Sequence, residues 1–362
     1  MEGNKFLKMV AECHKIAILV PNFAPYSGDA RVVEEQVKEL EAFGKDVDVI
    51  TLRTSELGKG KTVIELGMPK SLFFERLYRF LLPLDIPRAR KSINYLKKYD
   101  LIISHLYPMN WLASKAKRKY GTKYIFWYHG ISDPNLQPYL YERIYFRLFI
   151  YLTQMTTKNA DHIVSVSRYA RDEFKQYAGK DSEVIYNKPD LSKYHRGIDG
   201  SKIRAKWNLD SDPVILNVGR ICPPKCAHLL IQAFQDVKKE IPDAKLILVG
   251  KPTYDYYCKQ LQESADESTI FAGFVPDEEL PYYYAACDLY ATCSLWETYN
   301  IPVAEAQASG KPVVAFDIGP HPEILDSNGI LIEKGNISSF SQACIQKLKE
   351  AQRGGIGATE TV

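Results

Sequence analysis

Neither a Gly-x-Gly-x-x-Gly run nor a complete Gly-x-x-x-x-Gly-Lys-Ser/Thr occurs in this 362-residue chain. The dinucleotide fingerprint and the P-loop, the two commonest ready-made phosphate cradles, therefore drop out as readings. Cysteine is present seven times, at 13, 222, 226, 258, 287, 293 and 344, but the number is odd and no Cys-x-x-Cys pair occurs. That excludes a disulfide framework or a Cys-based zinc site and fits a reducing, cytoplasmic compartment with cysteines used as small buried apolar residues. No apolar run has the length of a signal core before Cys13. The most apolar later stretch, 145–152, is short and interrupted by Arg147, so a bilayer-spanning helix is not expected. The net charge of +3 is too small to mark a nucleic-acid surface, and no zinc-finger or RNP-like pattern stands in for it.

What is there is ordinary globular composition, 46% hydrophobic and 25% charged. The length predicts two domains of about 150–200 residues. Short β-branched and aliphatic runs alternate with longer amphipathic ones, the rhythm of βα units around a parallel sheet. Strands are predicted at 15–21, 46–52, 101–105, 123–128, 162–165 and 183–186, and again at 214–218, 245–249, 270–272, 289–292, 312–316 and 329–332. Between them, 30–44 reads as a helix with Val33, Val37 and Leu40 on one face and Gly44 as its stop. Later helices are predicted to start near Cys226, Tyr254, Asp277, Pro302 and Ser338. The fold class is α/β with two doubly wound, Rossmann-like domains, 1–188 and 189–362, and a linker region near 187–210 where Pro, Gly, Ser and charges cluster. In such sheets ligands sit beyond the carboxyl ends of the strands, and the two edges are expected to face a central cleft.

Candidate chemistry gathers at those edges. Arg220 and Lys225, in Val218-Gly-Arg-Ile-Cys-Pro-Pro-Lys225, follow a predicted strand and precede a helix start. Unpaired N–H groups, a partial positive charge and two cations there suit a diphosphate. Glu297 and Glu305, separated by seven residues, stand around a helix start marked by Pro302. Carboxylates so placed accept the paired hydrogen bonds of a sugar diol, though a carboxylate at a helix start also serves simple dipole compensation. His129 falls directly after the strand 123–128, beside Gly130, and His321 follows the strand 312–316 in Gly319-Pro-His-Pro-Glu323. Gly28 lies in a Gly/Pro-rich loop after the first strand that leads into a helix. The segments 70–99 and 138–158 mix Phe, Tyr and Leu with Lys and Arg, a pattern shared by core-facing helices and by helices that lie on a membrane.

Taken together, the chain resembles the retaining GT-B glycosyltransferases of family 4, also called group 1. In the second half the resemblance runs through Val218-Gly-Arg220 with Lys225, Phe271-Ala-Gly-Phe-Val-Pro-Asp-Glu-Glu-Leu280, Tyr284-Ala-Ala-Cys-Asp-Leu289, the Glu297/Glu305 element, Gly310-Lys-Pro-Val-Val-Ala-Phe-Asp317 and Gly319-Pro-His-Pro-Glu323. In the first half it rests on Ser27-Gly-Asp-Ala-Arg-Val32, His129, Ala160-Asp-His-Ile-Val-Ser-Val-Ser167 and Val184-Ile-Tyr-Asn187. It implies a hexosyltransferase whose second domain binds a nucleoside-diphosphate sugar, with UDP or GDP as the expected carrier. The first domain would bind a glycan, lipid-linked or small-molecule acceptor. Arg220 and Lys225 would hold the diphosphate, Glu305 the ribose and Glu297 the transferred sugar, with His129 near that sugar and Gly28 close to the diphosphate. Gly219, Gly250, Phe274, Tyr299, Asn300 and Ile301 would line the donor site. The resemblance also implies retention of anomeric configuration without an enzyme nucleophile, no cofactor and no metal.

Three departures from the family pattern bear on that reading. Asn300, in Glu297-Thr-Tyr-Asn-Ile-Pro302, stands where the family usually has glycine; Gly319-Pro320 replaces a double glycine; and little follows Gln352, so a crossover helix is expected to be short or missing. A sugar-nucleotide 2-epimerase on the same scaffold would need further acid/base groups in the cleft. A sugar-nucleotide-binding protein without catalysis is the other alternative.

Overall fold

The computed structural model describes residues 5–23, 28–54, 63–69 and 72–357. They form two compact units, Met1–Pro134 with Leu140–Asn187 and Asn135–Tyr139 with Lys188–Val362. The first unit holds a seven-stranded sheet built from β1 (Lys15–Phe23), β2 (Asp46–Thr54), β3 (Val63–Glu65), β4 (Leu101–Ser104), β5 (Lys123–Tyr128), β6 (His162–Ser165) and β7 (Glu183–Val184). Its order is β3-β2-β1-β4-β5-β6-β7, and all neighbours are parallel. Helices on both faces make the strands apolar throughout: Ile16, Ala17, Ile18, Leu19 and Val20 are all buried. The three-residue β3 was not predicted, because three residues carry no periodicity. The helix Lys5–Ala11 was also missed; it buries Phe6 and Val10, one turn apart, and sets Phe6 edge-on against Trp127 at 5.3 Å.

Gly28 was expected in a loop. It is instead the first residue of the helix Gly28–Ala42 and is exposed, while 24–27, the rest of that Gly/Pro-rich loop, lie outside the described residues.

The second unit holds β8 (Val214–Val218), β9 (Lys245–Val249), β10 (Thr269–Gly273), β11 (Leu289–Thr292), β12 (Val313–Phe316) and β13 (Gly329–Ile332). They are ordered β10-β9-β8-β11-β12-β13, again all parallel. The order reverses between β8 and β11, so the loops that follow these two strands flank the topological switch point. The final helix, Ile337–Gly357, places Phe340, Cys344 and Leu348 at a spacing of four into the core formed with Leu230, Phe234 and Val237 of the helix Ala227–Glu240.

At the carboxyl edge of this second sheet the strands end on glycines stitched to each other. Gly219 donates its N–H to Val249 O at 2.9 Å, and Gly250 donates to Gly273 O at 2.8 Å. The stitching leaves no room for a side chain at the middle position: a Cβ on Gly250, whose φ is +153°, would lie 1.7 Å from Gly219 O. Gly273 is different, since it has φ +67° but nothing within 4 Å of a Cβ. Gly250→Ala is therefore expected to lose about 2–4 kcal/mol of unfolding free energy, by backbone clash added to strain, and Gly273→Ala only about 1 kcal/mol, by conformation alone. Urea denaturation of the two variants beside the parent checks the ranking.

Candidate active site

Two loops make the core of the site. After β8 the chain passes Gly219 and the exposed Arg220, then enters the turn Pro223–Lys225, which the fixed φ of Pro223 and Pro224 favours. Cys226 takes the left-handed conformation, φ 50°, as the residue before the helix Ala227–Glu240. After β11 the chain runs through Ser294 to Asn300 and into the helix Ile301–Ala308. Leu295 N–H donates to Pro224 O at 3.0 Å, pinning one loop to the other. With the backbones pinned, Lys225 Nζ meets Glu297 Oε1 at 2.5 Å. The Glu297 side chain keeps only 9% of its surface exposed and that of Lys225 24%, so the pair is largely shielded and its charge-assisted hydrogen bond is a strong one.

Sequence reasoning assigned the cations to phosphate and the carboxylates to hydroxyl groups, as two separate pairs. The structure instead joins one member of each, and leaves Arg220 without a carboxylate partner among the described residues. Glu305 lies one turn inside its helix and is 1% exposed. It accepts from the hydroxyl of Tyr284 at 2.8 Å, a tyrosine that sequence reasoning used only as part of a motif. Gly250 and Phe274 sit at the ends of β9 and β10, with Phe274 exposed. Thr298, Tyr299 and Asn300 are buried around Glu297, and Ile301 opens the helix.

Asn300 has φ 68° and ψ 69°, a left-handed conformation open to glycine and, among other residues, chiefly to Asn and Asp. The departure from the family pattern thus keeps the backbone shape and adds a side chain, and that side chain is used. Asn300 Nδ2 contacts His321 Nε2 at 2.9 Å, while His321 Nδ1 contacts Phe316 O at 2.7 Å. A carbonyl only accepts, so Nδ1 carries the proton and Nε2 accepts from the Asn300 amide. His321 is fully buried, and burial pushes its pKa below the usual imidazole range. His129 and His105, in the first unit, form an imidazole pair, with His105 Nδ1 and His129 Nε2 2.6 Å apart. His105 was overlooked because the predicted strand ran through it. It stands directly after β4 as His129 stands directly after β5, and the same strand-end rule would have found it.

Among the described residues no three His, Cys, Asp or Glu side chains gather as a metal site. The Asp-x-Asp triplet at 46–48 is occupied structurally, Asp46 by Lys15 at 2.5 Å and Asp48 by the Tyr99 hydroxyl at 2.5 Å. In the triplet at 210–212, Asp212 faces Lys245 at 3.7 Å.

Two doubly wound parallel sheets, one with cations and carboxylates at its switch point, define the GT-B class. HepE of Anabaena, solved with UDP and glucose, matches with a TM-score of 0.78 and 22% identity over 94% of this chain and 91% of that one. Sucrose-phosphate synthase from Thermosynechococcus elongatus gives 0.77 and 20% over 94% and 90%. Residues 26–193 match Glycosyltransferase Family 4 and residues 199–353 match Glycosyl transferases group 1, and the chain belongs to this family. Among named relatives, a GDP-mannose-dependent alpha-(1-6)-phosphatidylinositol monomannoside mannosyltransferase of Mycolicibacterium smegmatis is 29% identical over 54% of this chain, a match that spans only 55% of that protein. The alpha-monoglucosyldiacylglycerol synthase of Streptococcus pneumoniae is 25% identical over 81% of this chain and 68% of its own length.

Two variants test the site's architecture. Asn300→Gly is expected to keep the left-handed backbone and lose only the amide bond to His321, whereas Asn300→Ala adds left-handed strain and costs about 1–2 kcal/mol more, read by denaturant unfolding. The second test uses pH. Burial holds His105 and His321 below the ordinary imidazole pKa of 6.5, so below that pH the unfolded chain binds protons that the folded chain refuses. Stability therefore falls as pH drops from about 6.5 to 5.5, by at most about 1 kcal/mol for each such group. His321→Gln should flatten that slope by one group's share.

Proposed function

We propose that this protein is a retaining glycosyltransferase that moves a hexose-type sugar from UDP- or GDP-sugar to a hydroxyl group of a glycan or lipid-linked acceptor. The observation that carries the reading is the Lys225–Glu297 pair at the switch point, with exposed Arg220 one loop turn away. A donor diphosphate takes Arg220 and Lys225 as its counter-charges. As the bond from the sugar to phosphate breaks, negative charge grows on the leaving oxygen, and cations already in place stabilise it without reorganisation. Glu297 both orients Lys225 and accepts from hydroxyls of the transferred sugar. Glu305 accepts from the ribose, its carboxylate held by Tyr284. His129 contributes from the first unit, whose sheet edge receives the acceptor. Leaving-group phosphate takes the acceptor's proton on the face of attack, which retains configuration without an enzyme nucleophile. The proposed reaction uses neither metal nor cofactor.

The named relatives support this choice of donor and acceptor: one is described as GDP-mannose-dependent and acting on a phosphatidylinositol mannoside, the other as a glucosyldiacylglycerol synthase. A lipid acceptor also suits the helix Leu140–Thr157, on which Tyr141, Ile144, Leu148, Tyr151 and Met155 form an exposed apolar stripe beside exposed Arg147 and Lys158. No helix among the described residues is long and apolar enough to cross a membrane, so contact would be at the surface.

A thermal-shift screen against UDP, GDP and ADP should single out one carrier; at 100 times its dissociation constant a ligand stabilises by about 2.7 kcal/mol. With the matching sugar nucleotide, Lys225→Ala and Glu297→Ala are expected to lose about 10²–10³ in kcat. Turnover like the parent's in both variants, or no binding of any nucleotide, would refute the assignment. Ile144→Glu with Tyr151→Glu should abolish cosedimentation with anionic vesicles and leave turnover of a soluble acceptor unchanged.

A further inference from the structure

The mechanism above uses His129 and leaves its neighbour without a task. His105 is fully buried, its ring lies nearly parallel to that of His129 with centroids 4.9 Å apart, and its Nδ1 stands 2.6 Å from His129 Nε2. Two nitrogens at that distance share one proton, so one ring donates and the other accepts. The remaining nitrogen of His105, Nε2, is buried and has no hydrogen-bond partner. An N–H placed there would be an orphaned buried donor, the rarest and most costly kind of unsatisfied group. The proton of His105 therefore belongs on Nδ1, pointing at His129.

We infer that His105 is a positioning residue: its Nδ1–H occupies the Nε2 lone pair of His129 and fixes His129 as the Nδ1–H tautomer. The consequence for chemistry is specific. With Nε2 engaged, a neutral His129 has no basic nitrogen left to take a proton from an acceptor hydroxyl, and any hydrogen bond made by its Nδ1 is one it donates. Burial and the neighbouring ring also hold His105 well below the ordinary imidazole pKa, so His105 stays neutral. The inference rests on the proposed role of His129 for its catalytic consequence, and on geometry alone for the tautomer.

Long-range 1H–15N spectra of histidine-labelled protein read the tautomer directly, with peaks assigned through His129→Asn. The parent should show His129 protonated at Nδ1 and bare at Nε2. His105→Phe keeps the ring and removes the donor, and should release His129 toward the Nε2–H form; His105→Asn returns an N–H to the same place and should restore the parent pattern. A parent His129 protonated at Nε2, or a tautomer unchanged in His105→Phe, overturns the inference. If His105→Phe unfolds, as a thermal melt would show, the parent spectrum and the Asn variant still decide. In turnover with the identified donor, His105→Phe should lower kcat about tenfold to a hundredfold, the range for groups that orient a reacting side chain, with KM for the donor little changed and kcat recovered in His105→Asn. A shifted tautomer with unchanged kcat would leave the pairing intact and instead refute the catalytic role proposed for His129.

Discussion

The second unit depends on one constraint, the pinning of the loop after β8 to the loop after β11. These strands are neighbours in the sheet but 70 or more residues apart in the chain, and Lys225 and Glu297 meet across 72 positions. Leu295 N–H on Pro224 O sets the distance between backbones. Left-handed residues, Cys226 and Asn300, then lead each loop into its helix. Once these are in place, a cation and a carboxylate are held together in a half-buried position at the point where the strand order reverses. A long lysine side chain placed so is held in one orientation by its carboxylate partner.

The same unit shows how a departure from a family pattern is absorbed. Glycine is favoured at position 300 because the backbone there is left-handed; Asn is the next residue to tolerate it. The side chain that comes with Asn is tied to His321, and His321 to Phe316 O, so loop, helix start and strand end form one chain of hydrogen bonds. The substitution trades a bare backbone for a fixed one. In the first unit, two imidazoles are paired where two adjacent parallel strands, β4 and β5, end.

Much of this was legible in the sequence. Parallel strands buried on both faces appear as unbroken apolar runs, and β8, β9, β11 and β13 fall where their composition puts them. Helix starts near Cys226 and Pro302 follow from turn and proline chemistry, and Glu297, Glu305, Arg220 and Lys225 stood out as charged residues at strand ends. What could not be read were elements too short to show a period, such as β3, and short helices held by contacts with distant residues, such as that of Phe6 on Trp127.

The sequence by itself determined the fold class, the family and which residue types stand at the strand ends, because periodicity, turn residues and motif order are properties of neighbouring positions along the chain. Only the tertiary structure decided which of those residues touch. It joined Lys225 to Glu297, Glu305 to Tyr284, Asn300 to His321 and His105 to His129. Each partnership spans 21 or more positions and is set by which strands lie side by side, a choice made by packing and loop closure.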